Sequence, residues 1–189
     1  MNAETIISIM IGIGLAASVG FRVFVPLFTL SLAAYFGVIP LNDNWEWIGS
    51  QTAIIMLGVA TLVEILAYFI PWLDNLLDTI TIPLATIAGT AVMVSTVANL
   101  DPTLTWALAI IAGGGTATAI KASTSTTRLA STGTTGGLAN PLISGIETGT
   151  SIGVSLLAIF IPVLAVIVVV ILLWIFFKVF RLFRAPKKQ

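Results

Sequence analysis

Residues 152–177 read IGVSLLAIFIPVLAVIVVVILLWIFF. The run carries no charge and exceeds the roughly 20 apolar residues that a bilayer core demands, so it reads as a membrane-spanning segment and sets the class of the whole chain. It ends at Lys178, after which come Arg181, Arg184, Lys187 and Lys188. Five of the eight basic residues therefore crowd residues 178–189, and the positive-inside rule expects that tail in the cytoplasm.

The remainder of the chain is of the same kind. Of its 189 residues 58% are hydrophobic and 8% charged, with a mean hydropathy of +1.10. A soluble domain carries about a quarter of its residues as charges. The composition thus predicts an all-α integral membrane protein, a single domain over residues 1–189, built as a polytopic helical bundle of about four to six crossings. Eight basic and eight acidic residues leave no net charge, which predicts no nucleic-acid partner. With neither Cys nor His, the chain lacks thiolate nucleophiles, imidazole bases and the commonest zinc ligands. No cofactor, no metal and no enzymatic activity are expected.

The first apolar segment, residues 5–37, is interrupted by Gly12, Gly14, Gly20, Arg22 and Pro26. No Lys or Arg precedes it and it is too long for a signal peptide, so it reads as a retained segment: one long broken helix, or two meeting near residues 18–22. Trp45 and Trp47 flank Glu46 in a following loop without basic residues, which suits an outward-facing headgroup layer. A span over 51–72 contains Glu64, and one over 76–99 is preceded by Asp74 and holds Asp78. Residues 112–140 are rich in Gly, Ser and Thr, a composition that fits either a loop or re-entrant backbone packed inside protein.

Two stretches match internally. LAYFIPWL at 66–73 and LAIFIPVL at 157–164 agree at six of eight positions. Upstream of each lies a Gly-interrupted segment with one cation, Arg22 in the first and Lys121 in the second. This predicts two structural repeats, 5–99 and 104–177, with broken or re-entrant helices. Paired breaks in two halves point to a transporter site near mid-membrane, where unpaired backbone N–H groups attract anions.

Charges within the membrane are costly, at least ~2.5–3.5 kcal/mol each at the bilayer centre, so each needs a partner or a purpose. Arg22 reads as an anion-binding cation at the helix break, or as a structural pair for Glu64. Glu64, alone in an apolar run, reads as a counter-ion or proton-coupling carboxylate. Asp74 and Asp78, four apart, share a helix face and fit either proton relay or a helix start. Lys121 and Arg128, seven apart, also share a face; with Ser123 and its hydroxyl neighbours between them they suit a phosphate or carboxylate, and equally a solvated loop. Asn140, before Pro141, can cap a helix or line a site, and Glu147 is a second acid in a more polar setting.

The segments Lys121-Ala122, Thr127-Arg128-Leu129-Ala130-Ser131-Thr132, Thr134-Thr135-Gly136-Gly137-Leu138, Asn140-Pro141, Glu147 and Ser155-Leu156-Leu157-Ala158-Ile159-Phe160 closely resemble a bacterial membrane family known as domain-of-unknown-function family 4126. The resemblance extends over the whole chain, including 14–26 with Arg22. It implies a small multi-pass inner-membrane protein and no established substrate. The family pattern often has Gly before Asn-Pro and a second acid after the equivalent of Glu147; here Ala139 and Thr148 stand there.

Together these features lead to the expectation of a transporter or flippase for a small anion or a phosphate-bearing lipid headgroup. Arg22, Lys121, Arg128, Ser123 and Asn140 would bind it, and Glu64, Glu147, Asp74 and Asp78 would couple or balance charge. A channel and a non-transporting scaffold are the alternatives. The expected partners are membrane lipids, the anionic substrate and other copies of the chain, in a bacterial inner membrane with the C-terminus cytoplasmic.

Overall fold

The ends of the helices follow from local chemistry. Asn2 and Ser50 accept from the backbone N–H groups of Thr5 and Ala53, each at 3.1 Å, and Asp101 accepts from Thr103 at 2.8 Å, so three helices begin with a capped first turn. Proline opens others, where its missing N–H costs nothing. The protein is described here from a computed structural model that covers residues 2–184, apart from the side chains of Pro71, Trp72, Asp74, Asn75, Phe180, Leu182, Phe183 and Arg184. The Asp74 side chain and the tail cations Arg184, Lys187 and Lys188 accordingly lie outside the described residues.

Among the described residues eight α-helices result: α1 (Ala3–Phe21), α2 (Phe24–Tyr35), α3 (Gln51–Ala67), α4 (Pro71–Thr96), α5 (Pro102–Leu108), α6 (Gly115–Thr135), α7 (Asn140–Phe160) and α8 (Pro162–Arg184). A 3-10 helix, Asp43–Gly49, precedes α3, and a π turn, Ala109–Gly114, joins α5 to α6. No strand occurs among the described residues. Among the described residues five helical segments are long and apolar enough to cross a membrane, and a sixth is if the 3-10 helix and α3, bent by 64°, count as one span. The chain is an α-helical membrane protein.

The run at 152–177 is two spans rather than one. Pro162 has no N–H to donate and its ring clashes with the preceding turn, so α7 ends at Phe160 and Ile161 leaves helical geometry. Ala158 and Ala165 both pack against Gly14, which requires the chain to reverse between them. α7 therefore runs antiparallel to α1, and α8 runs alongside α1, with Phe176 6.4 Å from Phe21.

The first apolar segment is the two-helix alternative, broken at Arg22, whose backbone is extended. Pro26 lies in the first turn of α2, where a missing donor is tolerated. The Gly-rich stretch is neither loop nor re-entrant backbone up to Thr135; helix continues from Pro102 through the π turn. Its glycines serve contact. A Cβ on Gly113 would sit 2.6 Å from the Gly89 carbonyl oxygen of α4, so the absence of side chains lets the two backbones touch. Gly136, left-handed at φ 63°, ends α6.

The matched Phe-Ile-Pro segments mark equivalent helix starts, Pro71 for α4 and Pro162 for α8. The two cations upstream are not equivalent: Arg22 ends a helix, whereas Lys121 lies inside one.

The bundle has two distinct ends. At one, the start of α1 meets the end of α4: the Ser8 hydroxyl accepts from the Ala98 N–H at 3.0 Å, and Asn42 N–H reaches the Ser95 carbonyl at 3.0 Å. Trp45, Trp47 and Trp106 belong to this end. At the other, the end of α1, the end of α3, the start of α7 and the basic end of α8 come together.

Candidate functional site

That basic end holds the buried charges. The break at Arg22 frees the first donors of α2, and Glu64, arriving from α3, takes two of them: its carboxylate accepts from the Val23 N–H at 2.7 Å and the Phe24 N–H at 2.9 Å. The partial positive charge of a helix start thus meets the protein's own anion. Glu64 is neither a bare carboxylate in hydrocarbon nor hydrogen-bonded to Arg22; it fastens α3 to α2, within electrostatic reach of Arg22 and Lys121.

Arg22 is fully buried. Its Nε donates to Thr148 Oγ1 at 3.0 Å, and its Nη2 donates to the Ser144 carbonyl at 3.0 Å and to the Ser144 hydroxyl. Glu147 lies 3.8 Å from Nη2. Its other terminal nitrogen, Nη1, is buried with no hydrogen-bond partner among the described residues. Arg128, 1% exposed, forms a two-pronged pair with Glu147, Nε to Oε1 at 3.0 Å and Nη2 to Oε2. Lys121, also 1% exposed, donates to the Tyr68 hydroxyl at 2.9 Å and pairs with Asp78 at 3.3 Å.

Tyr68 is the hub. The guanidinium carbons of Arg22 and Arg128 lie 3.9 and 4.4 Å from its ring centre, and Lys121 Nζ lies 5.1 Å away. Three cations lie over one buried aromatic ring, whose negative face attracts them and helps hold them near one another despite their repulsion. Its hydroxyl also lies 3.4 Å from both Asp78 and Thr81.

The structure therefore brings together Arg22, Lys121, Arg128, Glu64, Asp78 and Glu147. The shared face read from the spacing of Lys121 and Arg128 holds, and buried Thr124 and Ser125 lie between them on it. Ser125 Oγ, like Arg22 Nη1, is buried without a partner among the described residues. Ser123 is elsewhere: it is half-buried and bonds back to the Ala119 carbonyl at 2.8 Å. Asn140 ties the α6–α7 turn, donating to Thr132 Oγ1 at 3.1 Å. Thr148 serves as an acceptor for Arg22.

Sequence reasoning missed Tyr68, Ser144 and Thr148 as site residues. The signal for Tyr68 was present: it is one of two tyrosines, set in an apolar run where a phenol needs a partner. On α7, Ser144, Thr148, Ser151 and Ser155 fall at helical spacing. The last two meet Ser18 of α1, whose hydroxyl lies 3.1 and 2.6 Å from theirs, sealing α1 to α7 next to the cluster.

Three buried cations within reach of one ring, with two unpartnered polar atoms, make a site that can hold a compact anion by directional hydrogen bonds. Among the described side chains, Glu64, Asp78 and Glu147 set three negative charges against the three positive ones. Also among the described residues, no group of three acidic side chains is placed to hold a metal ion. No curated protein and no solved structure matches the chain. A family model does, over residues 9–182, which covers both the cluster and every helix that builds it. The chain belongs to the family described as domain of unknown function DUF4126.

Proposed function

We propose that this protein is a membrane transporter or flippase for a small anion or a phosphate-bearing lipid headgroup, and not an enzyme. The observation that supports this reading is Arg22 Nη1, a buried guanidinium nitrogen without a hydrogen-bond partner among the described residues, beside two further buried cations. A structural ion-pair cluster has no use for an unsatisfied charged donor, which costs more than a bond of average worth. A phosphate oxygen placed between Arg22, Arg128 and Lys121 satisfies it.

Charge balance adds a coupling rule. An anion entering this low-dielectric site brings charge that a cation or a proton must accompany. Glu64 and Glu147 are the carboxylates placed to accept that proton. By the positive-inside rule, the basic end of α8 faces the cytoplasm of a bacterial inner membrane.

In proteoliposomes, the wild type is expected to accelerate entry of a phosphate-bearing substrate, as inorganic phosphate, glycerol phosphate or fluorescent phosphatidic acid. Arg22→Gln and Lys121→Gln are expected to bring the rate to that of protein-free vesicles. Unchanged rates in both variants contradict the assignment.

A further inference from the structure

We infer that the substrate is an amphiphile: a phosphate-bearing lipid whose headgroup lies on Arg22, Lys121 and Arg128 while an acyl chain lies in a groove between α3 and α4. This rests on the anion reading above and narrows it to one source of the phosphate.

The groove is a feature of helix packing. α3 is held by α2 and the 3-10 helix, and between it and α4 a cavity of about 590 Å³ opens, lined by Val59, Val63, Ile80 and Leu84, with Glu64 and Thr81 on its wall. Its volume falls in the range of ~300–1,000 Å³ typical of pockets that take small molecules. Its rim is exposed and apolar, with Ile55 and Met56 on α3 and Ile80 on α4, so it faces hydrocarbon rather than water.

Two short connections join this groove to the cations. Glu64 lines the groove and holds the N–H of Val23, the neighbour of Arg22. Thr81 lines it as well, and its hydroxyl lies 3.4 Å from that of Tyr68, which receives the Lys121 ammonium. An apolar slot whose polar wall, Glu64 and Thr81, stands one contact away from the buried cations is complementary to a molecule with a long chain and a compact anionic head. A free phosphate ion matches only the second half. A second copy of the chain could fill the apolar part, but this would leave Arg22 Nη1 unsatisfied.

The chain contains no cysteine, so labels can be placed one at a time. The full chain in phosphatidylcholine nanodiscs receives phosphatidic acid with a photoactivatable group on its acyl chain, and adducts are mapped by mass spectrometry. Matched phosphatidylcholine serves as the second probe and radiolabelled glycerol phosphate binding as the third. Expected are phosphatidic acid adducts on Val59, Val63, Ile80 and Leu84, about tenfold above those on exposed Val170 of α8, and about tenfold fewer in Arg22→Gln. The phosphatidylcholine probe shows no such concentration, a comparison within the wild type that survives even if the variant fails to fold. Equal labelling by both lipids, or equal labelling of Val170, overturns the inference, since the groove then holds only bulk lipid. Disulfide-linked dimers of Val59→Cys with no groove adducts assign the groove to a second copy and overturn it likewise. Glycerol phosphate binding without phosphatidic acid adducts overturns it while leaving the anion reading intact; absence of both overturns both.

Discussion

Glu147→Ala is expected to destabilise the fold by about 3–5 kcal/mol, the loss seen when one partner of a buried ion pair is removed and the other stays. Glu147 is the carboxylate that Arg128 grips with two nitrogens and that lies 3.8 Å from Arg22, so its removal takes a two-pronged ion pair from Arg128 and a nearby negative charge from Arg22. Both are already close to the same tyrosine ring, and their mutual repulsion is then less opposed. Unfolding by SDS in mixed micelles measures the effect. The double variant Glu147→Leu with Arg128→Met should recover part of the loss, because replacing a whole buried pair by apolar groups is far less harmful than halving it. A single-variant loss below about 1 kcal/mol contradicts the picture of a tightly paired cluster.

Within the Gly113-Gly114-Gly115 triplet, Gly113→Ala and Gly115→Ala should act in opposite directions. A methyl on Gly113 meets the Gly89 backbone oxygen at 2.6 Å and Met93 Cβ at 2.8 Å, so α4 and the π turn must move apart. Overpacking of this kind costs about 1–3 kcal/mol. A methyl on Gly115 meets nothing within 4 Å and sits in continuous helix, so the change should be neutral or stabilise by about 0.5–1 kcal/mol. The same SDS titration distinguishes them. Equal effects at both positions would show that close approach is not why the triplet is glycine.

The membrane class, the helical bundle and the three site cations were legible because they rest on composition and on the cost of burying charge. Arg22, Lys121 and Arg128 stood out as ions in places where ions are expensive, and the structure draws all three to one ring. Two features were not legible. The run 152–177 has the length of one span, and nothing in its hydrophobicity tells that Pro162 marks a reversal rather than a kink; only the dual contact of Gly14 with Ala158 and Ala165 decides it. Ser123 and Ser125 look alike in sequence, yet a two-residue step along α6 turns one outward and the other into the bundle. The role of Glu64 could be posed but not resolved, since its partners are backbone N–H groups of a helix about 40 residues away, exposed by a break that sequence could place only within a few residues.

The central claim is that the buried guanidinium groups receive an anion. The chain has four arginines, Arg22 and Arg128 in the cluster and Arg181 and Arg184 near the C-terminus, so protein labelled with ¹⁵N only at arginine gives a side-chain spectrum simple enough to assign. Titrating phosphatidic acid into phosphatidylcholine nanodiscs should shift the Arg22 and Arg128 side-chain resonances saturably and leave those of Arg181 and Arg184 with at most a gradual, unsaturable drift. Shifts confined to Arg181 and Arg184, with Arg22 unmoved, would contradict the account.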